Sequence, residues 1–153
     1  MRIGVADTTF ARVDMASIAV ETLLRADRKL QIEQYTVPGF KDLPVAAKKL
    51  IEEYHCDIVL AFGWVGKEDI DEVCASEANI GLIQAELLTN RHILKVFVHE
   101  KEASSGKQLM EIAKDRTAKH ALNVLALLKG KDELRRFAGK GKRQGGKDAG
   151  VLR

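Results

Sequence analysis

A chain of 153 residues that is 46% hydrophobic and 31% charged is sized for one domain with a real core. Its formal net charge of +3 is unevenly placed: residues 129–153 carry nine Lys/Arg against three acids, so the body is mildly acidic, which argues against a nucleic-acid-binding body. No apolar run reaches the roughly 18 residues of a membrane-spanning helix, the N-terminus enters a strand at once with no secretory leader expected, and Cys56 and Cys74 lack CxxC spacing, so a cytoplasmic, reducing location is expected.

In chain order, Arg2–Ala6 is a short apolar run that reads as a buried central strand, followed by the polar loop Asp7–Arg12. Asp14 is placed to cap a helix over residues 15–26, with Met15, Ile18, Ala19, Thr22 and Leu23 on one face. Leu30–Val37 reads as an edge or half-buried strand. Thr36–Pro44 then leads into an amphipathic helix ending near His55. Pro38-Gly39 is a turn signal, Asp42 suits a helix N-cap, and Pro44 suits the first helical positions. A loop of this kind presents free N–H groups at the carboxyl edge of a sheet, where open α/β folds bind ligands. An ordinary strand-to-helix turn reads the same way.

Asp57–Phe62 is the strongest strand in the chain, and Gly63–Lys67 reads as a loop holding the only tryptophan, Trp64. A helix from Asp69 to Leu88 is apolar on more than one side and so is suited to meet a neighbouring subunit. Ile93–Val98 is the fourth strand and ends in His99-Glu100. Ser104 or Ser105 caps a last long helix near 106–128. The chain thus divides into one α/β domain, 1–128, and a basic Gly-rich segment, 129–153, that holds six of the 12 glycines. That segment reads as a solvated tail or as one that orders over a neighbouring subunit.

The alternation βαβαβαβα predicts a three-layer α/β sandwich with a four-stranded parallel sheet in order 2-1-3-4. Four loops then share the carboxyl edge. They bring Phe10, Phe40, Trp64 and Phe97 beside Asp7, Thr8, Thr9, Asp42, Lys67, His99 and Glu100. In a chain only 5% aromatic, this concentration suits a flat, hydroxylated heterocycle, although Phe40 and Phe97 read equally as core. His99, at a strand end, is the candidate for proton transfer. His55 and His120 sit at helical positions and read as solvent-facing or satisfied. There is no GxGxxG, GxxxxGK[ST] or GxSxG and no zinc spacing. The expected chemistry is acid–base work and positioning on a bound ring system.

Several stretches carry a resemblance. They are Asp7-Thr8-Thr9-Phe10-Ala11-Arg12-Val13-Asp14-Met15, Thr36-Val37-Pro38-Gly39-Phe40-Lys41-Asp42-Leu43-Pro44, Val98-His99-Glu100, Ala138-Gly139-Lys140-Gly141 and Arg143-Gln144-Gly145. Together they resemble the archaeal type of riboflavin synthase, a group related to lumazine synthase. The resemblance implies a flavodoxin-like, lumazine-synthase-like fold and a dismutation. Two 6,7-dimethyl-8-ribityllumazine molecules exchange a four-carbon unit, giving riboflavin and 5-amino-6-(D-ribitylamino)uracil. It further implies a homo-oligomer, a pentamer with sites between subunits, and no nucleic-acid or membrane partner.

The residue roles implied are as follows. Thr8, Thr9 and Phe10 line the site, and Phe10, Trp64 and Phe97 line or stack on the rings. Backbone groups of Pro38, Gly39 and Phe40 and of Gly63, Trp64 and Val65 read the pyrimidine edge. Asp42 accepts from ribityl hydroxyls, and His99 with Glu100 transfers the proton. Phe97, His92, His99 and Arg116 act on a neighbour's ligand. The Gly63–Asp71 loop is shorter than in lumazine synthase and lacks the proton-carrying histidine found there; Glu68 and Asp69 stand in that region. Arg116 falls where that family uses a basic phosphate-binding residue. No cofactor is required by this chemistry. A divalent metal such as Mg2+ held by Asp7, Asp42 and Glu100 stays open, as do two other functions: lumazine formation and non-catalytic flavin or lumazine binding.

Overall fold

Each of the four expected strands forms, and each is followed by a helix that covers one face of the sheet. The computed structural model describes residues 1–153. The elements are β1 (Arg2–Thr8), α1 (Met15–Ala26), β2 (Gln31–Val37), α2 (Leu43–Glu52), β3 (Ile58–Val65), α3 (Asp69–Thr89), β4 (Ile93–His99) and α4 (Gly106–Leu128). The sheet is wholly parallel in the order β2-β1-β3-β4, as the alternation predicts. Its two central strands are shielded on both faces, which is why they read as continuous apolar runs. No helix is long and apolar enough to cross a membrane.

The sheet separates two cores. On one face α1 and α4 pack over Ile3, Val5, Leu60, Phe62, Trp64, Val96 and Val98. On the other, α2 and α3 pack over Ala6, Val59, Ala61, Val65, Ile93 and Phe97, with Phe40 and Leu50. Each fully buried large side chain contributes about 1.5–3 kcal/mol relative to exposure. The period of two along a strand therefore assigns every edge residue to one face or the other.

Local chemistry sets the ends. Asp14 caps α1, its carboxylate accepting the Ser17 N–H at 3.0 Å. Ser105 caps α4, accepting the Gln108 N–H at 3.2 Å. Asn90, at φ 50°, ends α3.

Three expectations are corrected. β3 runs through Gly63, Trp64 and Val65, which pair with Phe97, Val98 and His99, so these residues are strand and not loop. Asp42 makes no side-chain cap bond to α2. Instead a 3-10 turn at Phe40–Asp42 feeds the helix, and Gly39 is at φ −147°, a conformation open to any residue. α2 stops at Glu52, and His55 lies beyond it at φ 57°.

Gly63 has a clear reason to lack a side chain. A methyl group there would lie 2.8 Å from three atoms of the Phe97 ring. Gly63→Ala is therefore expected to cost about 1–3 kcal/mol by overpacking, read as a lower denaturation midpoint. An unchanged midpoint would mean that the ring moves aside freely.

Candidate active site

The carboxyl ends of the four strands gather the loops that the sequence singled out, but the sheet divides their side chains between its two faces. On the α2/α3 face lie Thr8, Phe40, Phe97 and His99. Thr9 Oγ1 donates to the Pro38 carbonyl at 3.2 Å, tying the loop after β1 to the turn after β2. Phe40 and Phe97 are each 8% exposed, and their rings sit 6.0 Å apart at an angle of 44°. Thr8, 6% exposed, has a hydroxyl with no hydrogen-bond partner. Phe10 is exposed, and its ring tip reaches Gly66, where a methyl group would lie 3.6 Å from Cζ. The Asp42 carboxylate is exposed beside the 3-10 turn.

His99 ends β4 on this same face. Its Nδ1 is 2.8 Å from Oε2 of Glu72, a residue near the start of α3. With Nδ1–H donating to the carboxylate, Nε2 carries the lone pair and is the basic atom. The pair is half-buried, so it is accessible to a ligand yet fixed in direction. Glu72 carries no motif in the sequence. Only the packing of α3 against the end of β4 brings it to His99.

Glu100 is on the other side. It is 8% exposed, and its Oε1 accepts from Arg12 Nη1 at 2.8 Å and from Trp64 Nε1 at 2.9 Å. The Arg12 bond, with the indole bond beside it, holds this carboxyl below the usual carboxylate range. A base is most effective with a pKa near the working pH, so Glu100 is poorly matched to that task. The expected pairing of His99 with Glu100 is thus replaced by two separate pairs, His99–Glu72 and Glu100–Arg12. Trp64, at 1% exposed, offers no ring face to a ligand in this protomer. Its indole N–H fixes Glu100 instead. Glu100→Ala leaves that buried N–H unpaired and is expected to cost about 1–3 kcal/mol, while Glu100→Gln keeps an acceptor and should cost clearly less. Equal losses in a urea titration would remove the indole bond from the account.

Two further residues fall elsewhere. His92 precedes β4 and sits at the amino edge of the sheet, roughly 20 Å along the strand from His99. Arg116, on α4, uses four of its five N–H donors. Its Nη1 donates to the Phe97 carbonyl and to Glu102 Oε2, both at 2.7 Å, Nη2 donates to Glu102 Oε1 at 2.6 Å, and Nε donates to the Gly145 carbonyl at 3.2 Å. Burial draws the Glu102 carboxyl upward, but the Arg116 fork and the His99 N–H outweigh it and hold it low. Asp7, Asp42 and Glu100 do not converge, and no group of three His, Cys, Asp or Glu side chains is placed to hold a metal ion. Asp7 accepts from Gln34 and Thr36.

His120 is buried rather than solvent-facing, and its Nδ1 bonds the Arg116 carbonyl at 2.8 Å. Burial pushes its pKa below 6.5. The unfolded chain therefore takes up the proton first. Stability from this site is complete above pH 6.5 and is lost as pH falls below it. His120→Gln is expected to show a shallower loss of unfolding free energy than wild type between pH 7.5 and pH 5.5, measured in urea.

The profile of the 6,7-dimethyl-8-ribityllumazine synthase family matches residues 1–132. The chain belongs to that family. Within it, the similarity is to archaeal riboflavin synthases. That of Methanothermobacter thermautotrophicus is 50% identical over 152 residues, covering 99% of both chains. That of Archaeoglobus fulgidus is 46% identical over 152 residues, again 99% of both. A 6,7-dimethyl-8-ribityllumazine synthase of Thermococcus onnurineus is 26% identical over 99 residues, covering 63% of this chain and 65% of that one. The family profile ends at residue 132, whereas the similarity to the riboflavin synthases runs on through the C-terminal segment.

Proposed function

We infer that the protein catalyses the riboflavin synthase reaction, converting two molecules of 6,7-dimethyl-8-ribityllumazine to riboflavin and 5-amino-6-(D-ribitylamino)uracil. The observation that carries this reading is similarity at 46–50% identity along the whole chain to archaeal riboflavin synthases, including the segment beyond residue 132 where the lumazine synthase profile ends.

The site supports it chemically. The C7 methyl of the lumazine is acidic because its anion delocalises into the ring. A base aimed at that carbon must be directional and must titrate near neutrality, and His99 Nε2, oriented through Nδ1 by Glu72, meets the first need by its geometry. Phe10, Phe40 and Phe97 supply apolar edges for the rings, and the unpartnered Thr8 hydroxyl and the free Asp42 carboxylate supply polar contacts for the polyol. One lumazine gives up four carbons and the other accepts them, so the substrate is its own electron sink and the balance needs no redox cofactor. Holding two rings face to face replaces several kcal/mol of association entropy.

The alternative, lumazine formation, uses a four-carbon phosphate. The occupied fork of Arg116 favours the reading above, because no free guanidinium is presented at that position.

The site is open on one protomer, and α3 shows Ile70, Val73, Ile80, Ile83 and Leu87 to solvent along one stripe, at 47–78% exposed. We take this stripe as the surface a second copy covers, consistent with a homo-oligomer, here a pentamer with sites between subunits.

The test is to mix the pure protein with the lumazine as sole substrate and follow absorbance and mass. Riboflavin and the pyrimidine should appear in equal amounts. Lumazine appearing instead from the pyrimidine and a four-carbon phosphate supports the alternative, and a bound chromophore without turnover indicates a carrier.

A further inference from the structure

The C-terminal segment closes on itself and then onto α4. Ala149 N donates to the Gly141 carbonyl at 2.8 Å, and Asp148 accepts from the Arg143 N–H at 3.0 Å and from Lys142 Nζ at 2.7 Å. The loop so formed presents two carbonyls to α4: Gly145 to Arg116 Nε at 3.2 Å, and Gly146 to Lys119 Nζ at 3.1 Å. Gly145 is buried at φ +74°. A Cβ there would lie 2.5 Å from His120 Cε1 and 2.7 Å from Arg116 Cγ. Only glycine lets the loop seat.

From Arg116 the bonds continue into the candidate site. The guanidinium holds the Phe97 carbonyl on the open edge of β4 and grips both oxygens of Glu102. Glu102 Oε2 in turn accepts the backbone N–H of His99 at 2.9 Å. The last turn of β4, which carries the Phe97 ring and the His99 imidazole, is therefore fixed from behind by a chain of hydrogen bonds that begins at Gly145.

We propose that Arg116 and Glu102 are positioning residues for His99, and that the docked loop 141–149 acts on the reaction through them. The proposal rests on the riboflavin synthase reading only for its kinetic arm. A bidentate fork has two fixed directions, so the Arg116–Glu102 pair transmits orientation and not charge alone. Arg116→Lys keeps the charge and loses the fork, and Glu102→Gln cannot accept it at both atoms.

The experiment uses the full-length chain as Gly145→Val, Glu102→Gln and Arg116→Lys, with Lys147→Ala as a control on the exposed side of the loop. Three quantities are read: kcat and KM for the lumazine, the thermal midpoint, and the nitrogen and proton resonances of the His99 imidazole. The expected result is a fall in kcat of about tenfold to a hundredfold with a smaller change in KM, as for a reacting group displaced by a fraction of an ångström. The His99 resonances should shift in all three variants and stay in place in Lys147→Ala. Lowered thermal midpoints with unchanged His99 resonances and unchanged kcat would make the chain of bonds a structural staple only and overturn the proposal. Should Gly145→Val not fold, Glu102→Gln, which alters an exposed side chain, decides alone. Should the wild type show no turnover, the reaction assignment fails, while the His99 resonances still decide the coupling.

Discussion

Replacing His99 with alanine is expected to lower kcat with the lumazine by about 10²- to 10⁴-fold, the range for loss of a general base. The thermal midpoint should change little, because the side chain is half-buried and makes only the Glu72 bond. The reason for so large an effect is placement. His99 is held at its backbone by Glu102 and at its ring by Glu72, so Nε2 has one direction in which to act. Glu72→Gln keeps a hydrogen-bonding group but removes the charge that stabilises the imidazolium formed on proton uptake. It is expected to lower kcat by less than His99→Ala while leaving KM close to wild type. Near wild-type turnover in His99→Ala would take the histidine out of the mechanism. The proton would then have to go to water or to a group from another subunit.

The second large effect is expected at Phe97, where the sequence leaves two readings open. The ring is 8% exposed, belongs to the α2/α3 core and lies against Gly63 and Phe40. Phe97→Ala is expected to cost about 3–5 kcal/mol, as large-to-small changes of buried rings do. For a chain of this size that lowers the thermal midpoint by on the order of 10 °C. Stability alone does not separate a core ring from one that also meets a substrate. Phe97→Leu does, since it keeps most of the volume for about 1–2 kcal/mol and removes the aromatic face. If the ring edge contacts the lumazine, Phe97→Leu raises KM roughly two- to tenfold, the worth of an aromatic contact. An unchanged KM beside a modest stability loss would assign Phe97 to the core alone.

Much of the scaffold was legible in the residues because it is written in local chemistry. Apolar runs of five or six residues alternating with helical stripes give βαβα, and βαβα gives parallel pairing and the order 2-1-3-4 with little freedom. Asp14 and Ser105 sit where a cap is needed. The limits are equally specific. Gly63-Trp64 looks like a turn because glycine punctuates, yet the run continues as strand because β4 pairs with it and Phe97 fills the space that Gly63 leaves. Asp42-Leu43-Pro44 has the composition of a capped helix start, but the 3-10 turn supplies the entry and leaves the carboxylate free.

The site shows the same division. Its composition (rings, hydroxyls and a histidine at one edge) follows from the sequence once the strands are placed, and the stretches Asp7–Met15, Thr36–Pro44, Val98–Glu100, Ala138–Gly141 and Arg143–Gly145 together pointed to the family. Which groups act together does not follow. His99 and Glu100 are neighbours in the chain, but the pleat and the turn after β4 send one to Glu72 on the α3 side and the other to Arg12 and Trp64 on the α1/α4 side. Trp64, read from the sequence as a stacking ring, becomes a buried donor that, beside Arg12, bonds the Glu100 carboxylate. Arg116, read as a ligand contact, becomes the bolt between Gly145 and the end of β4. The sequence by itself determined the elements, their order and the edge where chemistry is possible, because those depend on periodicity and short-range caps. Only the tertiary structure decided the partners, because a hydrogen bond between residues 27 or 36 apart in the chain depends on which face of a shared sheet each side chain takes.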